Sequence, residues 1–255
     1  MESTSMQHEE RHPVVIAVDG PSGSGKSSVS KAVARRLGLA YLDTGATYRA
    51  ATWWCLHLGL DLADRDAVAE AVRTMPLEMG VDPSVESVLI DGHDVREDIR
   101  TTRISEKVSA VATNLEVRAE LGRLQRALID AQKALGGFSG GRGVVAEGRD
   151  ITTVVAPDAD ARVLLTASEE ARLARRALEL HGDAGTEAVE ATKDQVLRRD
   201  RDDSTVVEFQ VAADGVVTVD SSDLDFEQTI QAVLDVVAQV AGVREAAPAD
   251  TSTVL

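Results

Sequence analysis

The chain has 255 residues, 44% of them apolar and 27% charged, with a formal charge of −16 and a pI near 4.7. That is the composition of a globular protein with length enough for a large core. Its acidity argues against the basic footprint that nucleic acid or an anionic membrane requires, and no stretch approaches the roughly 20 apolar residues of a membrane span. Any phosphate ligand must therefore be held by a local basic pocket. Cys55 is the only cysteine and sits in an apolar run, which predicts a buried inert thiol and a reducing, cytoplasmic setting. The polar ends, 1–12 and 246–255, are expected to be disordered around a single domain, 13–245.

Val14 to Val18 is an unbroken apolar run suited to a strand buried on both faces. Gly20-Pro21-Ser22-Gly23-Ser24-Gly25-Lys26-Ser27 follows, the G-x-x-x-x-G-K-[ST] phosphate-binding loop, and Ser27 to Leu37 then reads as a helix stopped by Gly38. Glycines between a strand and a helix N-terminus let backbone N–H groups curl round an anion. Lys26 can reach the outer phosphates and Ser27 can ligate magnesium. Ala40 to Leu42 is a short strand, Asp43 or Thr44 an N-cap, and Tyr48 to Leu58 a helix.

Residues 61–100 change texture and read as an inserted subdomain. Ala67 to Met75 is helical, Leu77 to Val81 and Ser87 to Ile90 are strands, and Asp91 to Asp94 is a hairpin turn with a solvated His93. Two helices follow, 104–112 and 114–135, divided at Thr113-Asn114-Leu115-Glu116, which resembles a capping box. The second has a core stripe of Val117, Leu121, Leu124, Leu128, Ala131 and Leu135. Periodicity alone makes Ser109 and Arg118 surface residues.

Val144 to Ala146 is a buried strand ending in Glu147-Gly148-Arg149-Asp150, three charges at a strand's carboxyl end, where open parallel sheets bind ligands. After a strand at Arg162 to Leu165, Arg172, Arg175 and Arg176 share one helix face. Asp183 to Val189 reads as a mobile loop, and Arg198 to Asp203 is a dense charge block. Val216 to Val219 is a last strand and Asp223 to Val240 a closing helix. The expected fold is α/β: a P-loop kinase fold with a five-stranded parallel sheet covered on both faces, an inserted acceptor subdomain at 61–100 and a lid at 172–206.

A P-loop serves a small-molecule kinase, or an NTPase or switch that couples hydrolysis to a partner. No N-K-x-D base-reading motif of a GTPase is present. An insert and a basic lid suit a second substrate, and phosphoryl transfer asks for positioning and positive charge. If the acceptor is a phosphate monoester, arginines are expected around it, and Arg49, Arg100, Arg118, Arg149, Arg175, Arg176, Arg199 and Arg201 are available. Shikimate-type and sugar kinases could use arginines in the same way.

Ala17 to Ser28 resembles the opening of bacterial cytidylate kinases. So do Tyr41 to Arg49, Asp98 to Thr101, Glu147 to Asp150, and Arg199-Asp200 through Asp203-Ser204-Thr205. The resemblance runs in order over about residues 13–240. It implies a cytoplasmic monomer that transfers the γ-phosphoryl group of MgATP to CMP or dCMP, with UMP- and shikimate-type kinases as alternatives. It implies ATP binding by Gly20 to Ser28, with magnesium on Ser27. CMP falls to Thr44, Tyr48, Arg49, Arg100, Ser109, Arg118, Arg149, Asp150 and Asp203. Of these, Ser109, Arg118 and Asp150 meet the base, Arg149 the phosphate and Asp203 the ribose. Lys26, Arg149, Arg175, Arg176 and Arg199 carry the catalysis. The family's arginine after Ser-Thr in the lid is here Val206, and Val206 to Ala213 lacks the usual proline. With many like charges, Arg175 to Asp203 is expected to stand open until both nucleotides bind.

Overall fold

The computed structural model describes residues 12–183 and 185–243, so the expected disordered ends lie outside it except for His12. Five parallel strands form the central sheet: β1 (Val14–Asp19), β2 (Ala40–Asp43), β6 (Gly143–Gly148), β7 (Ala161–Thr166) and β8 (Val217–Asp220), in the order β2-β6-β1-β7-β8. β1 and β6 run in register from Val14 beside Gly143 to Asp19 beside Gly148. Ile16, Val18, Val145 and Val163 are fully buried, because helices cover both faces. Each such aliphatic side chain contributes about 1.5–3 kcal/mol on burial. α1 (Lys26–Leu37) and α8 (Phe226–Ala241) pack on one face, where Val29 and Val33 meet Ile230, Val233 and Val237. Ile129 and Ile151 cover the other.

The insert lies between α2 (Thr44–His57) and α4 (Thr102–Ala112). It comprises α3 (Arg65–Arg73) and an antiparallel sheet of β3 (Leu77–Met79), β4 (Val88–Ile90) and β5 (His93–Asp94). The expected hairpin turn at Asp91 to Asp94 is shorter, Asp91 and Gly92 only, with the exposed His93 opening β5. Cys55 is buried, its thiol pushed up to about 11 by burial. No helix among the described residues is long and apolar enough to cross a membrane.

Four other local expectations need correction. α2 starts at Thr44, earlier than Tyr48, because the Asp43 carboxylate accepts the Ala46 N–H at 2.8 Å and caps the helix there. α5 (Leu115–Ala131) stops short of 135, leaving Ala131 and Leu135 exposed at the end of the expected stripe. Gln125 is buried in that helix, its amide donating to Thr47 Oγ1 at 2.8 Å. The N-cap of α5 is Asn114, which accepts the Glu116 N–H at 3.1 Å; that places Glu116 too near the cap for a capping box. The expected loop at 183–189 is helical from Thr186, where α7 (Thr186–Asp203) begins after α6 (Glu169–His181).

Candidate functional site

The carboxyl ends of β1, β6 and β2 lie side by side and feed three chain segments into one cavity of about 390 Å³. From β1 comes the glycine loop. Gly23 has φ +77°, and a Cβ there would fall 2.4 Å from the Arg172 carbonyl, so both conformation and contact require glycine. Lys26 opens α1, with Nζ 3.3 Å from the Pro21 carbonyl. Burial pulls its pKa down to about 8, opposed by the Glu147 carboxylate. The Ser27 hydroxyl donates to Glu147 Oε1 at 2.7 Å, and the Tyr41 hydroxyl donates to the same oxygen at 3.1 Å. Burial raises the Glu147 carboxyl above its ordinary value, a shift that Lys26 opposes.

Ser27 and Glu147 are hard oxygen donors of the kind magnesium takes, and both line the cavity. Among the described residues there is no group of three or more His, Cys, Asp or Glu able to hold a metal by itself. Two protein oxygens would leave most of a magnesium shell to other ligands.

From β2 and β6 come the residues facing the loop. Asp43 pairs with Arg49 at 2.8 Å and Arg100 at 3.8 Å. Burial pushes its carboxyl up, but the two guanidiniums outweigh this and hold it below the ordinary range. The Thr44 hydroxyl donates to the Glu147 carbonyl at 2.8 Å. Arg118, on α5, pairs with Asp150, donates to the Ala112 carbonyl at 3.1 Å and lies over the Tyr48 ring at 5.7 Å. Burial raises the Asp150 carboxyl, with Arg118 opposing. The turn carrying Asp150 is fixed from β1: the Asp19 carboxylate accepts the Ile151 N–H at 2.9 Å and the Thr152 N–H at 2.8 Å. Asp19 thereby ties the strand that leads into the glycine loop to the turn after β6.

The third wall is the α6–α7 pair. Arg149 lies 2.9 Å from Asp200 and 2.6 Å from Asp203, and its guanidinium stacks 4.5 Å from the Phe209 ring centre. Arg199 lies 3.8 Å from Asp203 on the same helix face. Burial and the neighbouring Arg149 bring Arg199 down to about 10. Arg49 and Arg199 each bury an Nε with no hydrogen-bond partner in the protein, and both line the cavity. A pocket with surplus buried guanidinium donors is chemically matched to phosphate.

Of the residues singled out from sequence, Ser22, Gly23, Gly25, Lys26, Ser27 and Ser28 line the cavity on the loop side. Thr44, Tyr48, Arg49, Arg100, Arg118, Arg149, Asp150, Arg176, Arg199 and Asp203 complete it. Gly20, Pro21 and Ser24 belong to the loop but lie behind that lining. Arg175, Ser109 and Arg201 fall elsewhere, Arg201 being exposed on α7. Arg175 turns away from the cavity, its Nη atoms donating to Ser221 Oγ at 2.9 Å and the Ser221 carbonyl at 2.6 Å. Arg172, Arg175 and Arg176 fan across one helix face, and that face spans both the loop and the segment after β8. Ser109 is half-buried outside the lining, where α4 instead presents Ser105, Val108 and Ala112.

The expected open lid is likewise corrected. α7 is tied to the body because Asp200 and Asp203 supply the anions that the sequence reading assigned to bound phosphates. Sequence reasoning gave no role to Asp200 or Phe209. Asp200 looked like one more solvated charge, and Phe209 is a lone aromatic outside any periodic element.

A family model described as cytidylate kinase matches residues 16–239. The chain is 47% identical to a cytidylate kinase of Streptomyces avermitilis over 225 residues, covering 88% of this chain and 92% of that one. It is 49% identical to one from Cutibacterium acnes, covering 88% and 96%. With one from Rhodococcus opacus the identity is 46%, covering 90% and 97%.

Proposed function

The chain belongs to the cytidylate kinase family, an ATP-dependent group of nucleoside monophosphate kinases, and from that premise we propose how its cavity divides the work of moving a phosphoryl group from ATP to CMP or dCMP. The backbone N–H groups of the loop from Gly20 to Lys26 cradle the donor phosphates at the start of α1. Lys26 holds the outer ones. Ser27 would hold magnesium together with ATP oxygens, and the ion would supply positive charge beside the phosphates. Arg49, Arg100 and Arg149 take the acceptor phosphate, and Asp203 the ribose. Arg176 and Arg199 stabilise charge on the transferring group.

The reading of the base rests on one observation, the Arg118–Asp150 pair beside the Tyr48 ring on the cavity wall. Cytosine offers an N4 amino donor with O2 and N3 acceptors. A carboxylate and a guanidinium held together match that pattern, and the ring gives a face to stack on. Uracil presents a carbonyl where cytosine has the amino group, so it sets an acceptor against the Asp150 carboxylate and forgoes that hydrogen bond, at a cost of about 1–3 kcal/mol. CMP and dCMP should therefore be used in preference to UMP, and Asp150→Asn should narrow the gap. Steady-state kcat/KM for the three acceptors, measured by ADP formation, checks this. Equal values for CMP and UMP in the wild type would refute the base assignment.

A further inference from the structure

None of these roles includes Asp200, a buried carboxylate on α7 whose bonds reach into the donor loop. Its Oδ1 accepts the backbone N–H of Ser22 at 3.0 Å and lies 2.9 Å from Arg149 Nη1. Its Oδ2 accepts from Arg172 Nη1 at 2.5 Å. The same Arg172 nitrogen donates to the Ser22 carbonyl at 2.9 Å. Both backbone polar groups of Ser22 are thus gripped from the lid side, the N–H through α7 and the carbonyl through α6. Gly23, next in the loop, lets the backbone of Arg172 rest directly against it.

The arrangement exceeds what a structural ion pair needs. One carboxylate serves the donor loop, an arginine at the carboxyl end of β6, and an arginine of the other lid helix. The bonds from Ser22 and Arg172 are hydrogen bonds to a charged acceptor, roughly twice as strong as neutral ones. The Arg149 contact is a close ion pair that leaves Nη1 without a hydrogen-bond partner in the protein. Arg149 is held on its other side by Asp203 and against the ring of Phe209. Its guanidinium therefore has little freedom once Asp200 is in place. Two phosphates that react in line need their ligands in one frame, because a misplacement of about 1 Å can cost ~10²-fold in rate.

We propose that Asp200 is a positioning residue for phosphoryl transfer: by joining Arg149 to the Ser22 amide it registers the acceptor-phosphate arginine against the loop that holds the donor. The proposal rests on the reading of Arg149 as an acceptor-phosphate ligand. The test is steady-state kinetics with MgATP and CMP, together with thermal unfolding, on Asp200→Asn, Arg149→Lys and the double variant. Asp200→Asn keeps the shape and removes the charge. It should lower kcat by about 30-fold, with KM for ATP changed by less than about threefold and the unfolding midpoint moved by only a few degrees. In the Arg149→Lys background the same substitution should cost less than about threefold, because Asp200 acts through Arg149. A kcat within about twofold of wild type for Asp200→Asn, or an equal loss in both backgrounds, overturns the proposal while leaving the acceptor assignment intact. An Arg149→Lys variant with unchanged kcat/KM for CMP refutes the acceptor assignment, and the proposal with it. If Asp200→Asn fails to fold, Asp200→Glu decides: the added methylene displaces the charge, so a tenfold or larger loss of kcat in a fully stable protein supports the positioning role, and wild-type kcat excludes it.

Discussion

The insert and the lid both close on the same cavity, yet they are attached by different physics. The insert is fastened by apolar burial. Ala51, Cys55, Val68, Val72, Val111, Val117 and Leu121 form one cluster between α2, α3, α4 and α5, and Ala46, Ala50, Val88, Ile90, Val95 and Ile99 form another. The lid buries few apolar side chains, chiefly Leu173, Ala177 and Val196, with Phe209 just beyond it. Its ties to the body are mainly polar: Asp200 and Asp203 on Arg149, Asp200 and Arg172 on Ser22, and Arg175 on Ser221. A carboxylate–guanidinium contact can be exchanged for a phosphate–guanidinium contact, because both anions offer the arginine fork the same geometry. A buried isoleucine has no such substitute. The insert is therefore fixed by apolar burial, whereas α7 is held at Arg149 by contacts for which a nucleotide can compete.

The strongest blow to this contrast comes from the insert side. Ile99 is fully buried in the second cluster. Ile99→Ala removes apolar contact that nothing else can replace and should cost about 3 kcal/mol of stability in urea unfolding. Because the lid does not draw on that cluster, KM for ATP should stay within about twofold at temperatures where the variant is folded. If Ile99→Ala loosens ATP binding as much as it lowers stability, the two arms are one cooperative unit and the contrast fails.

On the lid side the expected loss is kinetic. Arg199 is half-buried, lies 3.8 Å from Asp203, and keeps a buried Nε with no hydrogen-bond partner in the protein. Arg199→Ala should lower kcat by ~10²-fold with little change in ATP affinity, as expected for a charge felt mainly in the transition state. Val206, beyond the end of α7, stands where the family usually has arginine. Val206→Arg should therefore raise the rate of the Arg199 variant more than that of wild type. A loss below about threefold in Arg199→Ala would pass the role to Arg176, which also lines the cavity.

The same contrast decides what could be read from sequence. The donor loop is one contiguous stretch between a buried strand and a helix, so its residues could be assigned directly, and the five sheet strands show as apolar runs. Contacts between distant segments were legible only as types. Arg172, Arg175 and Arg176 read as one basic face, but nothing local said that Arg175 would bond Ser221 while Arg172 bonded Ser22. Ser105 and Ser109 are one turn apart on α4, and only the packing of α4 against α2 chooses which one lines the cavity. The Arg-Asp block before Ser204 looked like repelling charge because its partner, Arg149, lies some fifty residues earlier. Gln125 interrupts an apolar stripe and finds its partner, Thr47, on another helix. Hydrophobic period reports which face is inside, and it is blind to the polar pairs that specify a site.

The smallest expected effect is also the most specific to the lid. Phe209 is fully buried, and its ring lies 4.5 Å from the guanidinium of Arg149. It is the one aromatic residue against that arginine among the described residues. A cation over an aromatic face gains about 0.5–1 kcal/mol when exposed and about 2 when desolvated. Phe209→Leu keeps an apolar side chain of similar reach and removes the π-face, so about 1 kcal/mol should be lost locally, beyond the change in packed volume. The loss belongs to the attachment of α7 to Arg149 and should leave the insert untouched. Amide hydrogen exchange reads this directly: exchange in α7 should quicken by about fivefold, while that of α3 and the β3–β5 sheet should not change. Phe209→Tyr, which keeps the ring, should stay closer to wild type in α7 provided its hydroxyl finds a partner. Equal quickening in both arms would mean that the ring serves the whole fold, and the charge-held lid would then be no more separable than the apolar-held insert.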